Sequence, residues 1–169
     1  MERTNQNNMP NAHLHELFVD ELRDVMGAER QLLKALKKMA SAAQSKSLKD
    51  AFEAHHEQTQ GHIDRLKNVL ESLGLAPRGK KCKAMEGLLA EAEEIMGSFE
   101  GDEAIDAALI AAAQKVEHYE IASYGCLVTY AKLMKHHDAK EILGKTLEEE
   151  KEADIKLTDI ALSEANVAA

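Results

Sequence analysis

Apolar residues recur along most of this chain with the alternating three- and four-residue spacing of α-helices that bury one face. Glycines, prolines and potential capping residues divide the pattern into segments. No segment shows the sustained two-residue alternation that is typical of a half-buried strand. The pattern therefore predicts four long helices and one short helix, over residues 11–44, 47–74, 84–96, 101–135 and 138–163.

The connections between these helices predict how they pack. The turns near residues 45 and 137 are short, so each flanking pair of helices should form an antiparallel hairpin. The connection from Gly74 to Gly101 carries the short helix and can cross the length of a bundle. We therefore predict an all-α fold, a ferritin-like four-helix bundle of two antiparallel hairpins joined by a long crossover that carries a short fifth helix.

Caps refine the helix and domain boundaries. Asn11 is a candidate cap for the first helix, and Ser47 with Asp50 three residues later resembles a capping box at the start of the second. We predict one bundle domain over 12–163, a flexible N-terminal segment over 1–11 and a frayed C-terminus over 164–169.

Composition and charge narrow the class of protein. The 169 residues, of which 44% are hydrophobic and 30% charged, suffice for one core. A net charge of −9 argues against a nucleic-acid partner. The longest apolar run, Ala107 to Ala113, is too short to span a bilayer. The first residues lack the apolar core of a signal peptide. We expect a soluble cytoplasmic protein without a membrane partner. Helices of about 30 residues, which are ~45 Å long, are longer than one isolated small bundle needs and indicate tip contacts or a homodimer.

Charged and imidazole side chains interrupt the hydrophobic face of every long helix near its middle. No Lys or Arg falls on these faces there. The interrupting residues are Glu29 on the first long helix, His55, Thr59 and His62 on the second, Glu117 and Glu120 on the third, and Glu150 and Asp154 on the fourth.

The hairpin turns place these residues at similar heights. Counting from the turn near residue 45 sets Glu29 level with about residue 61, so His62 fits and His55 lies about a turn further along. Counting from residue 137 sets Glu120 level with Asp154. Five carboxylates in one cavity would be costly unless cations balance them. Two divalent ions supply four positive charges, and carboxylate with imidazole suits Fe, Mn or Zn. The sequence predicts a dinuclear metal centre.

Each residue also has a simpler interpretation. A lone buried His is typically hydrogen-bonded, Glu117 with Glu120 could be a solvated pair, and Asp154 could pair with Lys151. A phase error of one residue would replace His55 by a neighbour, His56 or Glu57. The other glutamates of the run, Glu148 and Glu149, are expected to face solvent. Of the two cysteines, Cys82 is expected to be an exposed thiol in a basic loop and Cys126 to be packed.

Several segments resemble the YciF-like family of bacterial ferritin-like proteins, relatives of rubrerythrins and bacterioferritins. They are LFVDELRDVMGAERQLLKAL (17–36), AFEAHHEQTQGHIDRL (51–66), KKCKAMEGLLAEAEE (80–94), AALIAAAQKVEHYEIASYG (107–125) and KTLEEEKEADIKLTDIA (145–161). The resemblance implies a dimer with a role in bacterial stress responses.

The wider relatives carry a Glu on the first helix, Glu-x-x-His on the second, Glu on the third and Glu-x-x-His on the fourth. Glu117-x-x-Glu120 resembles the glutamate pair of rubrerythrins, and Glu150 resembles the Glu of the fourth helix. Ala153 stands where that helix would carry its His, and Asp154 is a candidate substitute. The second helix offers Thr59-x-x-His62, which lacks the expected Glu, or Glu53-x-x-His56 in a poorer phase. These departures put oxidase or peroxidase chemistry in question without removing metal binding.

We therefore expect two divalent ions, iron with Mn or Zn as alternatives, held inside the bundle. The expected ligands are Glu29, His55, His62, Glu117, Glu120, Glu150 and Asp154, and Tyr124 could hydrogen-bond one of them. Any substrate would be small, such as O2 or peroxide. The alternatives are a non-catalytic structural or stress dimer whose polar core is only a stabilising staple, and an iron-storage protein.

Overall fold

The computed structural model describes residues 12–169, and this part of the chain contains helices and no strand. The predicted N-terminal segment and its cap Asn11 lie outside the described residues. The elements are α1 (Ala12–Ala42), α2 (Lys46–Ser72), α3 (Lys83–Ser98), α4 (Ile105–Leu133), α5 (His137–Ile160), a π-helical turn (Ala161–Ala165) and a last helical turn α6 (Asn166–Ala168).

The long helices form two hairpins that pack on each other. Helix α1 lies against α2, and α4 lies against α5, across short turns. The hairpins meet through α2 with α5 and α1 with α4, while α3 packs on α1 and α4 from within the crossover. The predicted fold class, a ferritin-like bundle with a helix in its long crossover, is confirmed.

The N-terminal cap of α2 lies two residues before its predicted position. Ser45, not Ser47, is the cap, and its hydroxyl accepts a 3.3 Å hydrogen bond from the Leu48 amide. The buried carboxylate of Asp106 accepts 2.7 Å hydrogen bonds from the amides of Gln44 and Ser45. This contact from the first turn of α4 fixes where the α1–α2 turn ends.

The C-terminal segment remains helical beyond the predicted end of the bundle. Residues Ala161–Ala165 form a π-helical turn, in which backbone hydrogen bonds join residues five apart instead of the four of an α-helix. Ala161 and Ala165 are both buried against the core. The chain is helical to Ala168, whereas the sequence predicts fraying from residue 164.

The hydrophobic core is divided in two along the bundle. One cluster includes Leu36, Phe52 and Leu109, and the other includes Leu22, Leu66 and Leu127. On each long helix the boundary between the clusters falls at the polar residues that interrupt the hydrophobic face. The polar residues therefore form one layer across the middle of the bundle.

The crossover is bound tightly to α1. The Lys80 amide donates a 2.9 Å hydrogen bond to the Arg23 carbonyl, and the Gln31 side chain exchanges two hydrogen bonds with the backbone of Cys82. A Cβ atom on Gly27 would lie 1.6 Å from the Lys80 carbonyl oxygen. Only glycine therefore fits at residue 27.

Both cysteine predictions are wrong. Cys82 is buried, and its sulfur caps α3 by accepting from the Met85 amide at 3.4 Å. The sulfur lies 3.1 Å from the Tyr119 hydroxyl, which donates a 3.0 Å hydrogen bond to Asp24. Burial raises the pKa of the Cys82 thiol. Cys126, by contrast, is exposed.

Among residues 12–169, none of the helices is sufficiently long and apolar to cross a membrane.

Gly27→Ala should destabilise the fold by about 1–3 kcal/mol, because the added methyl group collides with the backbone of the crossover. Gly87→Ala is the matched control, since a Cβ there meets nothing within 4 Å and α3 should gain about 0.5–1 kcal/mol. Urea denaturation monitored by circular dichroism measures both changes. Equal midpoints for Gly27→Ala and wild type would contradict this account of the crossover.

Candidate metal centre

The polar layer brings together six of the seven predicted ligand residues, in two overlapping groups. The His55 group contains His55, Glu117, Glu120 and Glu150, and the His62 group contains Glu29, His62 and Glu150. Within each group, one potential ligand atom per residue lies within 4.8 Å of all the others. None of these residues is more than 6% exposed. Glu150 belongs to both groups, so the two candidate positions are adjacent.

The two histidines present different ring nitrogens to the carboxylates. His55 Nε2 lies 3.2 Å from Glu117 Oε1 and 3.7 Å from Glu150 Oε2. His62 Nδ1 lies 3.0 Å from Glu150 Oε1 and 3.4 Å from Glu29 Oε1. Each imidazole therefore directs one nitrogen into the layer.

Helix geometry explains why α2 contributes both histidines. His55 and His62 are seven residues apart, about two turns, and so lie on one face of the helix with Thr59 between them. The sequence left open which histidine belongs to the centre, and the structure includes both. The alternative neighbours lie elsewhere, since His56 is only half-buried and Glu57 is exposed.

Most of the buried polar atoms of this layer have no hydrogen-bond partner within residues 12–169. Leaving such atoms unpaired is costly, and native interiors contain few of them. The nine atoms are both carboxylate oxygens of Glu120 and of Glu150, Oε2 of Glu29 and of Glu117, Nε2 of His55, Nδ1 of His62 and Oγ1 of Thr59. Eight of the nine are carboxylate oxygens or imidazole nitrogens, the donor atoms that bind Fe, Mn or Zn. The side chains present therefore fit a pair of divalent cations.

The charges of the layer also fit two divalent ions. Its four glutamates carry four negative charges when ionised, which two divalent cations would balance. Without metal, burial raises the pKa of Glu29 and raises the pKa values of Glu117 and Glu120 well above the usual glutamate range. The repulsion of neighbouring carboxylates adds to each shift. The metal-free layer therefore retains protons that cations would displace.

Asp154, the seventh predicted ligand, is not in either group. Its Oδ1 accepts a 3.2 Å hydrogen bond from Gln114 and lies 3.3 Å from His118 Nε2. Its side chain is 23% exposed. The layer therefore contains four carboxylates instead of the predicted five.

An ion pair that the sequence did not predict lies beyond His62. His62 Nε2 lies 3.0 Å from Glu149 Oε2, and Arg65 holds the Glu149 carboxylate with two hydrogen bonds of 2.7 and 2.9 Å. Arg65 also donates to Thr146 at 3.1 Å. Glu149 was expected to face solvent, and no basic residue was expected near the layer. The signal that could have found Arg65 is its position three residues after His62, on the same side of α2.

This ion pair orients His62. A carboxylate on Nε2 favours a proton there and leaves the Nδ1 lone pair for the centre of the layer, as is common for metal-binding histidines. Without metal, burial lowers the pKa of His62, but the carboxylates of Glu150 and Glu29 close to Nδ1 outweigh burial and raise it to about 10. The hydrogen bond from Arg65 lowers the pKa of Glu149.

His55 has a weaker outer partner. Its Nδ1 lies 3.4 Å from Gln58 Oε1, a neutral amide oxygen. Burial lowers the pKa of His55. The two halves of the centre are therefore unequal, because one imidazole is held by an ion pair and the other by an amide.

Tyr124 lies four residues after Glu120 on the hydrophobic face of α4 and contacts Glu29. Its hydroxyl donates a 2.5 Å hydrogen bond to Glu29 Oε1. Burial raises the pKa of the Tyr124 hydroxyl well above its usual value, so the hydroxyl remains a donor. Glu29 is therefore held in place on one oxygen, while its other oxygen is unpaired.

A cavity of about 170 Å³ lies between α2 and α5 and reaches the centre. His55 and Glu117 are among its lining residues, whereas Glu29 and His62 are not. The complete lining is Ala51, Phe52, Ala54, His55, Gln58, Glu117, Glu152, Ala153, Lys156 and Leu157. The cavity therefore reaches the His55 group.

Comparison with known proteins identifies relatives over nearly the whole chain. Residues 13–169 match the family described as a domain of unknown function, DUF892. Protein YciF of Escherichia coli (strain K12) is 51% identical over 154 residues, which cover 90% of this chain and 93% of YciF.

Solved structures agree with these sequence matches. The crystal structure of the E. coli stress protein YciF superposes with a TM-score of 0.86, covering 90% of this chain and 97% of that one. YcfI from Rhodopseudomonas palustris, to which a structural role has been ascribed, is 42% identical with a TM-score of 0.84, covering 86% and 92%. Protein XCC3681 of Xanthomonas campestris shares the fold at 24% identity and a TM-score of 0.69, covering 89% and 92%.

The pKa shifts predict how pH affects the stability of the metal-free protein. Above pH 4.5 the unfolded chain releases the Glu120 proton while the folded chain retains it, so this residue's contribution to stability falls as pH rises. Glu120→Gln cannot ionise and should gain stability relative to wild type over that range. Melting temperatures measured in chelator at a series of pH values test this prediction.

Glu149→Gln is the control with the opposite sign. The pKa of Glu149 is lowered, so its contribution is present above pH 4.5 and is lost as pH falls. This variant should therefore lose stability relative to wild type as pH rises. Parallel pH profiles for wild type and Glu120→Gln would show that Glu120 is not desolvated as the structure describes.

Proposed function

The chain belongs to the DUF892 family, which places it with YciF-like proteins, and on this basis we propose that it is a bacterial stress-response protein with a dinuclear, iron-type metal centre. The observation that carries the proposal is the pair of overlapping residue groups that share Glu150. These groups hold eight unpaired carboxylate or imidazole atoms in the middle of the bundle. Native interiors leave few buried polar atoms unpaired, and neither carboxylate oxygen of Glu120 has a hydrogen-bond partner within residues 12–169.

Each residue group would hold one ion. Glu150 lies between the two positions and is placed to serve both. Glu29 and His62 would complete one position, with Tyr124 and the Arg65–Glu149 ion pair fixing their orientation. His55, Glu117 and Glu120 would complete the other.

A pair of iron ions would supply electrons for chemistry with O2 or peroxide. The chain's own contribution is to bury the centre between two hydrophobic clusters, with a cavity of about 170 Å³ that reaches the His55 group. A cavity of that size admits small substrates. We therefore place O2 or peroxide first among candidate substrates.

A homodimer forms part of the proposal. Ile155 and Leu162 are 61% and 69% exposed and lie seven residues apart along the C-terminal helical segment. Large apolar side chains that are this exposed are candidates for burial by a partner. A second copy of the chain is the partner that the family resemblance favours.

A non-catalytic role is the alternative function. The polar layer separates two hydrophobic clusters, so ions bound there would join all four long helices. Such ions would act as a structural staple, in line with the structural role ascribed to the R. palustris relative. In this alternative the metals stabilise the bundle and nothing is turned over.

Metal analysis of a single variant tests the centre. Wild type reconstituted with Fe²⁺ under anaerobic conditions should contain two ions per chain, whereas Glu150→Gln should contain one or none because Glu150 belongs to both residue groups. Glu148→Gln is the matched control, since Glu148 is exposed on the same helix and should leave the metal content unchanged. Wild type without bound metal, or Glu150→Gln with two ions, would overturn the proposed centre.

Turnover measurements separate the catalytic function from the staple. The iron-loaded protein should consume O2 or H2O2 in multiple turnovers when a reductant is supplied, followed with an oxygen electrode or by peroxide absorbance. A staple predicts a melting temperature that falls in chelator with no consumption of either. A metal-loaded protein inert to both oxidants would reject the catalytic function and leave the alternative.

A further inference from the structure

The two halves of the centre differ in their access to small molecules. The cavity between α2 and α5 is lined by His55 and Glu117, and the unpaired atoms Nε2 of His55 and Oε2 of Glu117 are both buried. Neither Glu29 nor His62 lines this cavity, and the outer nitrogen of His62 faces Glu149. An incoming molecule would therefore meet the His55 group first.

Ala153 explains why there is space on that side. In di-metal bundles, a helix that brings a central Glu often brings a His three residues later. The residue three positions after Glu150 is Ala153, and it lines the cavity together with His55. Because residues three apart share a helix face, a longer side chain at 153 would extend toward the same region as Glu150.

We propose that this cavity is a binding site for a small neutral donor molecule, up to about the size of an imidazole ring, that completes the His55 half of the centre. The proposal rests on the proposed metal centre and adds the position and class of its exogenous ligand. The side chain missing at Ala153 leaves the volume that this molecule would occupy.

The size and lining of the cavity define the ligand class. Its volume of about 170 Å³ is far above the ~10–15 Å³ that one water requires. Apolar side chains of Phe52 and Leu157 form part of the wall, and Gln58 can hydrogen-bond a guest. Four buried glutamates would be balanced by two divalent ions, and the lining adds one acid, Glu152, and one base, Lys156. No excess charge therefore favours an ionic guest.

Imidazole added to the Co²⁺-loaded protein is the test, because the visible absorption of bound Co²⁺ reports its ligands. Wild type should bind two Co²⁺ per chain, and imidazole should change the spectrum with saturation at one molecule per chain. Ala153→His should retain two Co²⁺, show a spectrum like that of imidazole-saturated wild type and respond no further. Ala153→Ser is the matched control that keeps the cavity and should respond as wild type does.

Ala153→Leu provides a second variant in case Ala153→His folds poorly. It fills the cavity without adding a donor atom, so it should retain two Co²⁺ and bind imidazole at least about tenfold more weakly, a difference of about 1.4 kcal/mol. Unchanged imidazole affinity in Ala153→Leu would overturn the proposed site.

The remaining outcomes distinguish this inference from the proposed function. Two bound Co²⁺ ions with no imidazole response in wild type would overturn the ligand site and leave the metal centre standing. Saturation at two imidazoles per chain would also overturn it, because the His62 half would then be equally open. Failure to bind Co²⁺ at all would reject the centre and the ligand site together.

Discussion

Mutual repulsion among four buried glutamates is the constraint on which the rest of this structure depends. Two like charges 4 Å apart repel by about 4 kcal/mol even at an effective dielectric constant of 20. Glu29, Glu120 and Glu150 are fully buried and Glu117 is nearly so, and no lysine belongs to the layer. Positive charge must therefore come from protons, from His62 or from metal ions. In the metal-free chain the pKa values of Glu117, Glu120 and His62 are raised, so bound protons on the glutamates and on His62 reduce the net negative charge.

The fold offsets this cost by burying apolar surface on both sides of the polar layer. Each long helix contributes apolar residues to one cluster, crosses the layer and contributes to the other. Outer contacts then fix the orientation of individual side chains, as Arg65 and Glu149 do for His62 and Tyr124 does for Glu29. Each residue group combines one histidine with glutamates, but the outer contacts of the two histidines differ, so the layer is asymmetric.

Helical periodicity predicted much of the layer, and its errors have a geometric origin. At 3.6 residues per turn, residue i+7 lies about 20° from residue i, which is why His55 and His62 share a face. Residue i+4 lies about 40° away, and this rotation turns Asp154 from Glu150 toward Gln114. What the sequence could not show were contacts between distant segments. Cys82 is buried by Tyr119 and Gln31, and the ion pair of Arg65 with Glu149 spans two helices.

The close approach of the crossover to α1 has a consequence for how this sequence can evolve. Gly27, which lies two residues before Glu29 on α1, packs directly against the backbone of Lys80. The crossover that connects the two hairpins therefore contacts α1 next to one of the glutamates of the polar layer. The segment between the end of α2 and Lys80 must therefore keep a fixed number of residues. Insertions and deletions should accumulate at the exposed turn around residues 99–103 and be excluded from residues 76–82. The length of the 76–82 segment and the glycine at residue 27 should therefore be conserved together.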